Sequence, residues 1–278
     1  MKRLYITDLD GTLLNSKQQL SDYTVDALNR LIAQGVQITF STARSFYTTS
    51  MMLNRVQFQL PCITYNGTYV IKADTGEVIR KNLLSREVFA GVLAMAKSLG
   101  LKPYIFGKTA AQEEKLLYEE PEHPAHVQFL EERQKRGDKR LQPAATFTGE
   151  LTELINCNFL YPLEPIRKLE QRVLEAYGDA VSVKVVKDIY NEGYYTLEVS
   201  NKDANKGDML DYVADLLQVE RQNITAFGDQ ANDKEMFERA GTKVAVANAN
   251  EALKALADVI IERNEKDGVV KYIETQER

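Results

Sequence analysis

Short apolar runs that end abruptly in polar residues constrain the fold of this chain more than any other sequence feature. Residues 4–7 form a β-prone run that stops at Asp8-Leu9-Asp10-Gly11, where acids and a glycine cannot continue a buried strand. Residues 36–40 and 62–65 repeat the arrangement, and residues 21–35 show apolar side chains at helical spacing. The succession of strand, polar loop, helix and strand predicts βαβ units built around a parallel sheet.

The pattern changes near residue 83 and returns after Asn201. Between these points we expect helices at residues 85–100 and 165–177, mixed with strands but without regular alternation. Such a mixture indicates an antiparallel sheet that carries helices. Beyond Asn201, a predicted helix at residues 206–217 and a strand at residues 224–227 resume the βαβ pattern.

The first and last parts of the chain are therefore predicted to form one sheet, with a second domain inserted between them. We predict an α/β fold with a Rossmann-like parallel sheet core, formed by residues 1–82 and 189–278. Residues 83–188 are predicted to form an inserted α+β cap domain. A chain of 278 residues is long enough for one domain plus an insertion of this size.

Composition argues against several classes of function. The net charge of −5 provides no basic excess for a nucleic-acid partner. The N-terminus has no room for a signal-peptide core and no apolar run approaches the length of a membrane span, so we expect a cytoplasmic protein without a membrane partner. Cys62 and Cys157 lie in no metal-binding or redox spacing, and we interpret them as buried free thiols. The oligomeric state stays open.

Polar residues that directly follow the predicted strands are the candidate site residues. Ligands bind open parallel sheets beyond the carboxyl ends of the strands, and those positions hold Asp8, Asp10, Thr42, Arg44 and Asp229. Carboxylates that converge on one sheet edge repel each other unless a cation offsets their charge. Oxygen ligands suit Mg²⁺, which we predict as the cofactor.

The same residues suit the hydrolysis of a phosphate ester, a very slow reaction that a covalent intermediate makes easier. We predict Asp8 as the nucleophile. Asp10, two residues further along an extended segment, would protonate the leaving alcohol and later activate water. Thr42 and Lys206 would contact the oxygens of the transferring phosphoryl group, and Lys206 stands at a predicted helix start that favours an anion.

A second acidic segment, residues 228–233, follows the predicted strand at residues 224–227. We expect Asp229 to be a direct metal ligand and Asp233 to be an outer-sphere carboxylate on the same strand-to-helix turn. Asn232, which lies between them, would hold the attacking group or a phosphate oxygen.

These segments resemble the motifs of the haloacid dehalogenase superfamily, and more narrowly of its Cof-type sugar-phosphatase branch, which carries a type-two cap inserted after the third core strand. The resemblance covers nearly the whole chain. It implies that Asp8 is also a metal ligand, that the backbone carbonyl of Asp10 binds Mg²⁺, and that Asp229 is a further ligand. Four motifs in the family order carry the resemblance: Asp8-Leu9-Asp10-Gly11-Thr12, Thr42, Asn205-Lys206-Gly207, and Gly228-Asp229 with Asn232-Asp233.

The resemblance also implies phosphate contacts from the amides of Leu9 and Ala43, besides Thr42, Lys206 and Asn232. The chain departs from the family pattern in small ways. Ala43 stands where glycine is usual, Thr68 where alanine is usual, and Val246 where methionine is frequent. If the backbone at position 43 requires a positive φ, alanine is strained there. Arg44 either neutralises the acidic site or contacts the substrate, and both interpretations stay open.

Three features outside the motifs receive structural interpretations. His123 and His126 are expected to be exposed polar residues, because no acid or cysteine is paired with them. The basic tract at residues 133–140 is interleaved with acids and is expected to be a solvated helix end. A group of tyrosines is expected to pack on the sheet rather than to line a pocket: Tyr190, Tyr194 and Tyr195.

We predict that the protein is a Mg²⁺-dependent phosphatase of a small phosphorylated metabolite, most of all a hexose phosphate, through an aspartyl-phosphate on Asp8. The cap would close over the organic part of the substrate and select it. A phosphosugar mutase and a module that binds a phosphometabolite without turnover are the alternatives. Dehalogenation is disfavoured because it needs neither the acid at Asp10 nor the acids at Asp229 and Asp233. No motif identifies the metabolite.

Overall fold

The structure is a computed structural model that describes residues 2–144, 149–188 and 191–278. The chain divides into two compact units. The core unit comprises Met1–Lys81 and Ala204–Arg278, and the cap unit comprises Asn82–Asp203. Among the described residues, no helix combines the length and the apolar character that crossing a bilayer would require.

Strands and helices follow one another along the described residues in the order that the sequence pattern predicts for most of the chain. The strands are β1 (Leu4–Thr7), β2 (Gln37–Phe40), β3 (Pro61–Thr64), β4 (Tyr69–Lys72), β5 (Val78–Lys81), β6 (Tyr104–Thr109), β7 (Glu114–Tyr118), β8 (Leu141–Pro143), β9 (Leu151–Pro162), β10 (Val181–Lys187), β11 (Tyr194–Asn201), β12 (Ile224–Gly228), β13 (Thr242–Val246) and β14 (Val259–Ile261). The α-helices are α1 (Asp22–Ala33), α2 (Phe46–Met52), α3 (Arg86–Ser98), α4 (Pro124–Lys135), α5 (Leu163–Tyr177), α6 (Lys206–Leu217), α7 (Lys234–Arg239), α8 (Glu251–Lys254) and α9 (Gly268–Gln276).

The core unit is built on a parallel sheet, as predicted, and the strand order is β14-β13-β12-β1-β2. The four residues of β1 are all buried, which agrees with a strand covered on both faces of a parallel sheet. Side-chain caps set the starts of the helices. The Ser21 hydroxyl accepts the Thr24 N–H at the start of α1, and the Asn205 amide oxygen accepts the Asp208 N–H at the start of α6.

The third strand of the predicted βαβ block belongs to a separate antiparallel sheet, in the order β3-β4-β5. β4 and β5 form the hairpin that the sequence predicts. β3 meets the parallel sheet at one bridge, between Ser41 and Ile63, where the Thr42 N–H donates to the Ile63 carbonyl at 2.9 Å. The Thr39 hydroxyl of β2 also donates to the Pro61 carbonyl of β3 at 2.7 Å.

The cap unit contains a mixed sheet in the order β10-β11-β9-β6-β7-β8, in which only the pair β7 and β8 is parallel. Helices α3 and α5 pack against this sheet, which confirms an antiparallel sheet that carries helices. Apolar side chains between them form the core of the unit, including Val92, Ile105, Cys157, Phe159, Leu169 and Val199.

The cap unit ends later than the sequence predicts. β11, which the predicted boundary at residue 189 assigns to the core, pairs antiparallel with both β9 and β10. The unit therefore runs to Asp203 and begins one residue earlier, at Asn82. The Asn82 side chain donates to the Asp203 carbonyl at 3.1 Å and so holds the two ends of the unit together. Strand membership depends on distant hydrogen-bond partners, which a local sequence pattern does not specify.

The charged stretch before Arg140 contains β7 and α4, which the sequence analysis does not predict. The prediction that His126 is exposed is wrong, because α4 packs it against the sheet at 2% exposure, with its Nε2 donating to the Leu160 carbonyl at 2.7 Å. The prediction of a solvated helix end is wrong for Arg140, which is buried and hydrogen-bonded to Asp138 at 2.7 Å.

The interpretations of the cysteines and of Tyr195 agree with the structure. Cys62 and Cys157 are free and buried, as predicted. Tyr195 is partly buried and packs against the apolar core of the cap, in agreement with a packing role. Tyr190 lies outside the described residues.

Candidate active site

Two neighbouring strands bring acids to one edge of the core sheet. β1 and β12 are paired in parallel, with Thr7 opposite Phe227, and the Asp8 N–H continues this ladder by donating to the Phe227 carbonyl at 3.0 Å. Asp8 therefore follows β1 at the edge where Asp229 follows β12. Carboxylate oxygens of Asp8, Asp229 and Asp233 lie within 4.8 Å of one another. All three residues are buried.

Lys206 is the cation at the centre of this cluster. It is the first residue of α6, fully buried, and its Nζ lies 2.5 Å from Asp8 Oδ1 and 2.7 Å from Asp233 Oδ1. The sequence predicts Lys206 at the site, and the structure brings it into contact with two acids. The ammonium group pairs with two of the three buried carboxylates, and the four groups carry a net charge of −2 when all are ionised.

The titration of these groups reflects the excess of carboxylates. Burial raises the pKa of Asp8 well above its usual range, the charges of Asp233 and Asp229 add to this, and Lys206 opposes it. Burial, followed by the charge of Asp233, raises the pKa of Asp229 to about 6. Burial alone would lower the pKa of Lys206, but Asp233 and Asp8 outweigh it and raise the pKa. The ammonium group therefore stays charged.

Asp233 holds the turn that follows β12. Its Oδ2 accepts the backbone N–H groups of Asp229 at 2.9 Å and Gln230 at 3.1 Å, while its Oδ1 accepts from Lys206. Gln230 completes a reciprocal capping box with Asp233. A side chain at position 228 would collide with Asp233, because a Cβ there would lie 2.6 Å from the Asp233 Cβ. Both oxygens of Asp233 are thus engaged by the protein, as expected of an outer-sphere carboxylate.

Gly11 permits the close approach of the Asp229 carboxylate. Its φ is +78°, and a Cβ at this position would lie 2.3 Å from Asp229 Oδ2. The Thr12 hydroxyl donates to Asp229 Oδ1 at 3.1 Å. Asn248, which the sequence analysis does not identify, donates from Nδ2 to the Gly11 carbonyl at 2.7 Å. Its position shortly after β13, another strand of the same sheet, is the signal that could have identified it from the sequence.

Asp10 lies apart from the cluster of three carboxylates and is paired with Arg44. The Arg44 guanidinium donates from Nε to Asp10 Oδ2 at 2.6 Å and from Nη2 to Asp10 Oδ1 at 2.5 Å. The Asp10 side chain is 43% exposed and that of Arg44 is 18% exposed. The structure therefore shows the neutralising contact that the sequence leaves open for Arg44.

The loop after β2 holds Thr42 and Ala43. Thr42 is fully buried, and its hydroxyl accepts the Arg44 N–H at 3.1 Å. The φ of Ala43 is not positive, so alanine at this position carries no left-handed backbone strain. Leu9 is fully buried, and its carbonyl accepts the Leu14 N–H at 2.8 Å, which closes the loop after β1.

Asn232 contacts a residue that the sequence analysis leaves without a role. Its Nδ2 donates to the Asn66 side-chain oxygen at 3.3 Å. Asn66 lies in the turn after β3, so this contact joins residues that follow two different strands, β3 and β12. The sequence places Asn66-Gly67 at the end of a predicted strand, but the sequence analysis assigns no function to Asn66.

Comparison with known proteins identifies the family. Residues 5–273 match the family model described as haloacid dehalogenase-like hydrolase. The chain belongs to this family. It is 24% identical over 272 residues to a 5-amino-6-(5-phospho-D-ribitylamino)uracil phosphatase of Bacillus subtilis, covering 97% of this chain and 96% of the relative. It is 26% identical over 274 residues to a pyridoxal phosphate phosphatase of Escherichia coli, and the match covers 98% of this chain and 97% of the relative.

Solved structures of haloacid dehalogenase-like hydrolases share the fold. A member from Bacteroides thetaiotaomicron superimposes with a TM-score of 0.82 at 25% identity, covering 99% of this chain and 100% of the other. The chain is accordingly an enzyme of the haloacid dehalogenase-like family, a phosphatase of small phosphorylated metabolites.

The acidic cluster of this haloacid dehalogenase-like hydrolase fits a divalent metal ion. Three buried carboxylates share one ammonium group, and a divalent cation would offset the remaining charge of −2. The donors are all oxygens, which hard cations prefer. Asp8 and Asp229 would hold the metal directly, whereas Asp233 would orient the turn that carries Asp229.

Proposed function

We propose that this phosphatase hydrolyses sugar phosphates, hexose phosphates first, with Mg²⁺ and through an aspartyl-phosphate on Asp8. The observation that carries the proposal is the position of Asp8, buried at the end of β1 beside Lys206 and within 4.8 Å of two further acids. A carboxyl group held against a cation at this sheet edge is placed as a nucleophile for an anionic substrate, and a bound cation would favour its ionised form.

In the first step, a carboxylate oxygen of Asp8 attacks phosphorus and the bond from phosphorus to the ester oxygen breaks. Asp10 donates a proton to the leaving oxygen, which departs as an alcohol. Lys206 remains beside Asp8 and stabilises the negative charge of the phosphoryl oxygens, together with Thr42 and the amides of Leu9 and Ala43. Asp8, the Asp10 carbonyl and Asp229 would hold Mg²⁺, which would supply further positive charge to these oxygens.

In the second step, water attacks the phosphorus of the acyl phosphate and gives up a proton to Asp10. The bond between phosphorus and the Asp8 oxygen breaks, which releases inorganic phosphate and restores both acids. Asp10 must leave its two hydrogen bonds with Arg44 before it can carry a proton to the leaving group. A phosphate oxygen is the natural replacement partner for the guanidinium, so we assign Arg44 to substrate binding as well.

The substrate class is supported by the names of the relatives. The Bacillus subtilis relative is named for a compound with a phosphorylated ribityl chain, which is a sugar alcohol phosphate. Sugar phosphates share its hydroxyl-bearing carbon chain and its primary phosphate ester. Pyridoxal phosphate, in the name of the Escherichia coli relative, is the main competing class.

Phosphate release from a panel of sugar, sugar-alcohol, pyridoxal and flavin phosphates tests the proposal. We expect release with Mg²⁺, loss of release with EDTA, and loss in Asp8→Asn, since an amide oxygen is a poor nucleophile. Asp22→Asn is the matched control, because the Asp22 side chain is 86% exposed on α1 and forms an ion pair with the exposed Arg55. A phosphorylated protein trapped by acid quench from wild type, and missing from Asp8→Asn, would support the covalent step.

The alternatives give different results in the same assay. Phosphate transfer that appears only with a bisphosphate activator would favour a mutase. Binding of sugar phosphates without release in Mg²⁺ would favour a binding module. We also propose a cytoplasmic location, with which the free buried thiols of Cys62 and Cys157 agree, and recovery in the membrane or secreted fraction of cells would refute it.

A further inference from the structure

The turn after β3 has an unusual backbone. Tyr65, Asn66 and Gly67 have φ values of 49°, 52° and 107°, so three successive residues lie in the left-handed region. Asparagine tolerates this region better than most residues, whereas an aromatic residue is strained there. Gly67 accepts no side chain, because a Cβ would lie 2.4 Å from the Asn205 carbonyl oxygen. Strain of this kind tends to occur at functional sites.

Backbone hydrogen bonds attach this turn to the loop after β2. The Tyr65 N–H donates to the Arg44 carbonyl at 2.9 Å, and the Asn66 N–H donates to the Thr42 carbonyl at 2.9 Å. The left-handed conformation is what turns these two successive N–H groups towards one loop. The turn therefore holds the backbone of the segment that carries Thr42 and Arg44.

The Asn66 side chain extends the attachment to the loop after β12. Asn66 is 8% exposed, and its Oδ1 accepts one N–H of the Asn232 amide at 3.3 Å. The next residue, Asp233, is tied to Lys206 at 2.7 Å, so the backbone on one side of Asn232 is fixed. The contact with Asn66 fixes the rotation of the Asn232 amide, and its second N–H then keeps a defined direction.

We infer that Asn66 is a positioning residue, which orients the Asn232 amide for a phosphate oxygen. The inference rests on the proposed function and on the phosphate contact that the sequence predicts for Asn232. Asn66 itself need not contact the phosphate. It links the loop after β2 with the loop after β12, and its side chain acts through Asn232.

Asn66→Gly separates the side chain from the backbone. Glycine adopts the left-handed conformation without strain and removes the carboxamide. We expect kcat/KM to fall about threefold to tenfold, the effect of one neutral hydrogen bond, with the inhibition constant of inorganic phosphate rising in step. The matched control is Gln218→Gly, which relieves a φ of 56° at an exposed residue after α6 and should leave kcat/KM unchanged. Wild-type kinetics in Asn66→Gly would overturn the inference.

A double-mutant cycle tests whether Asn66 acts through Asn232. In an Asn232→Ala background, Asn66→Gly should change kcat/KM by less than about twofold, because the group that it positions is already absent. Additive losses would overturn the inference. Asn66→Ala should show the kinetic loss of Asn66→Gly together with a lower Tm, since alanine is strained at a φ of 52°.

Binding of inorganic phosphate to the Mg²⁺-loaded protein, measured by calorimetry, separates this inference from the proposed function. If the wild type binds phosphate but hydrolyses no ester, the proposed function fails, and weaker binding by Asn66→Gly still supports the positioning role. Equal phosphate affinities of wild type and Asn66→Gly would refute the positioning role alone. If the wild type binds no phosphate, both are refuted.

Discussion

Lys206→Met should destabilise the core unit strongly, apart from any effect on catalysis. Lys206 is fully buried, and its ammonium group lies 2.5 Å from one Asp8 oxygen and 2.7 Å from one Asp233 oxygen. Methionine retains an unbranched stem of similar length but removes the charge. The substitution leaves three buried carboxylates within 4.8 Å of one another without a cation.

The size of the effect follows from the burial of the broken pair. Removing one partner of a buried ion pair typically costs about 3–5 kcal/mol, because the remaining charge is left uncompensated. Here one ammonium group serves two carboxylates, which places the expectation at the upper end of that range. A domain of 150–250 residues loses roughly 2–4 °C in Tm per kcal/mol, so we expect Tm to fall by about 10–20 °C.

The assay is denaturant and thermal unfolding in EDTA, so that no metal replaces the lost charge. The chain contains no tryptophan, so far-UV circular dichroism is the suitable probe. Amide hydrogen exchange in β1 reports the core unit separately from the cap unit. Lys234→Met is the matched control, because Lys234 is 58% exposed and pairs with Glu238 at 3.7 Å, an interaction worth about 0–1 kcal/mol.

The double variant Lys206→Met, Asp233→Asn sharpens the test. It removes one of the uncompensated charges while asparagine still accepts backbone N–H groups, so it should be more stable than Lys206→Met alone. A loss below about 1 kcal/mol in Lys206→Met, or one equal to that of Lys234→Met, would refute the assignment of Lys206 as the compensating cation.

Two further predictions concern pH. Asp229 has a pKa of about 6 in the folded protein, above the value of about 3.9 in unfolded chains, so the folded state binds the proton more tightly. In EDTA the wild type should therefore lose stability relative to Asp229→Asn as pH rises from about 4 to about 6. Added Mg²⁺ should remove this loss. Urea midpoints that change in parallel with pH for both proteins would contradict the prediction. Burial lowers the pKa of His126, so its neutral ring is favoured in the folded state, and the wild type should lose stability relative to His126→Phe as pH falls below about 6.5. Equal losses in thermal scans of the two proteins at decreasing pH would show that His126 does not contribute.

Helix α6 shows what local sequence specifies well. Its predicted range of residues 206–217 agrees with the structure, since Asn205 is a strong cap and apolar residues recur at helical spacing. Helix α4 shows the opposite. Its buried residues are Ala125, His126 and Leu130, which form no clear apolar stripe at helical spacing, so the sequence pattern does not reveal the helix. Packing against the cap sheet, rather than local preference, forms this helix.

The sequence by itself determined the alternation of strands and helices in the core, and with it the polar positions at the strand ends. Asp8, Asp229 and Lys206 were identifiable because acids, glycines and helix caps interrupt apolar runs in a way that follows from local chemistry. The family match and the phosphatases among the relatives confirm the predicted family and activity.

Only the tertiary structure decided how those residues pair. Lys206 contacts Asp8 across 198 positions of the chain, and Asn232 contacts Asn66 across 166. The extension of the cap to Asp203 likewise depends on the pairing of β11 with β9 and β10. The physical reason is the same in each case. Local patterns specify where a strand or helix ends, but long-range packing selects which side chains and strand edges meet.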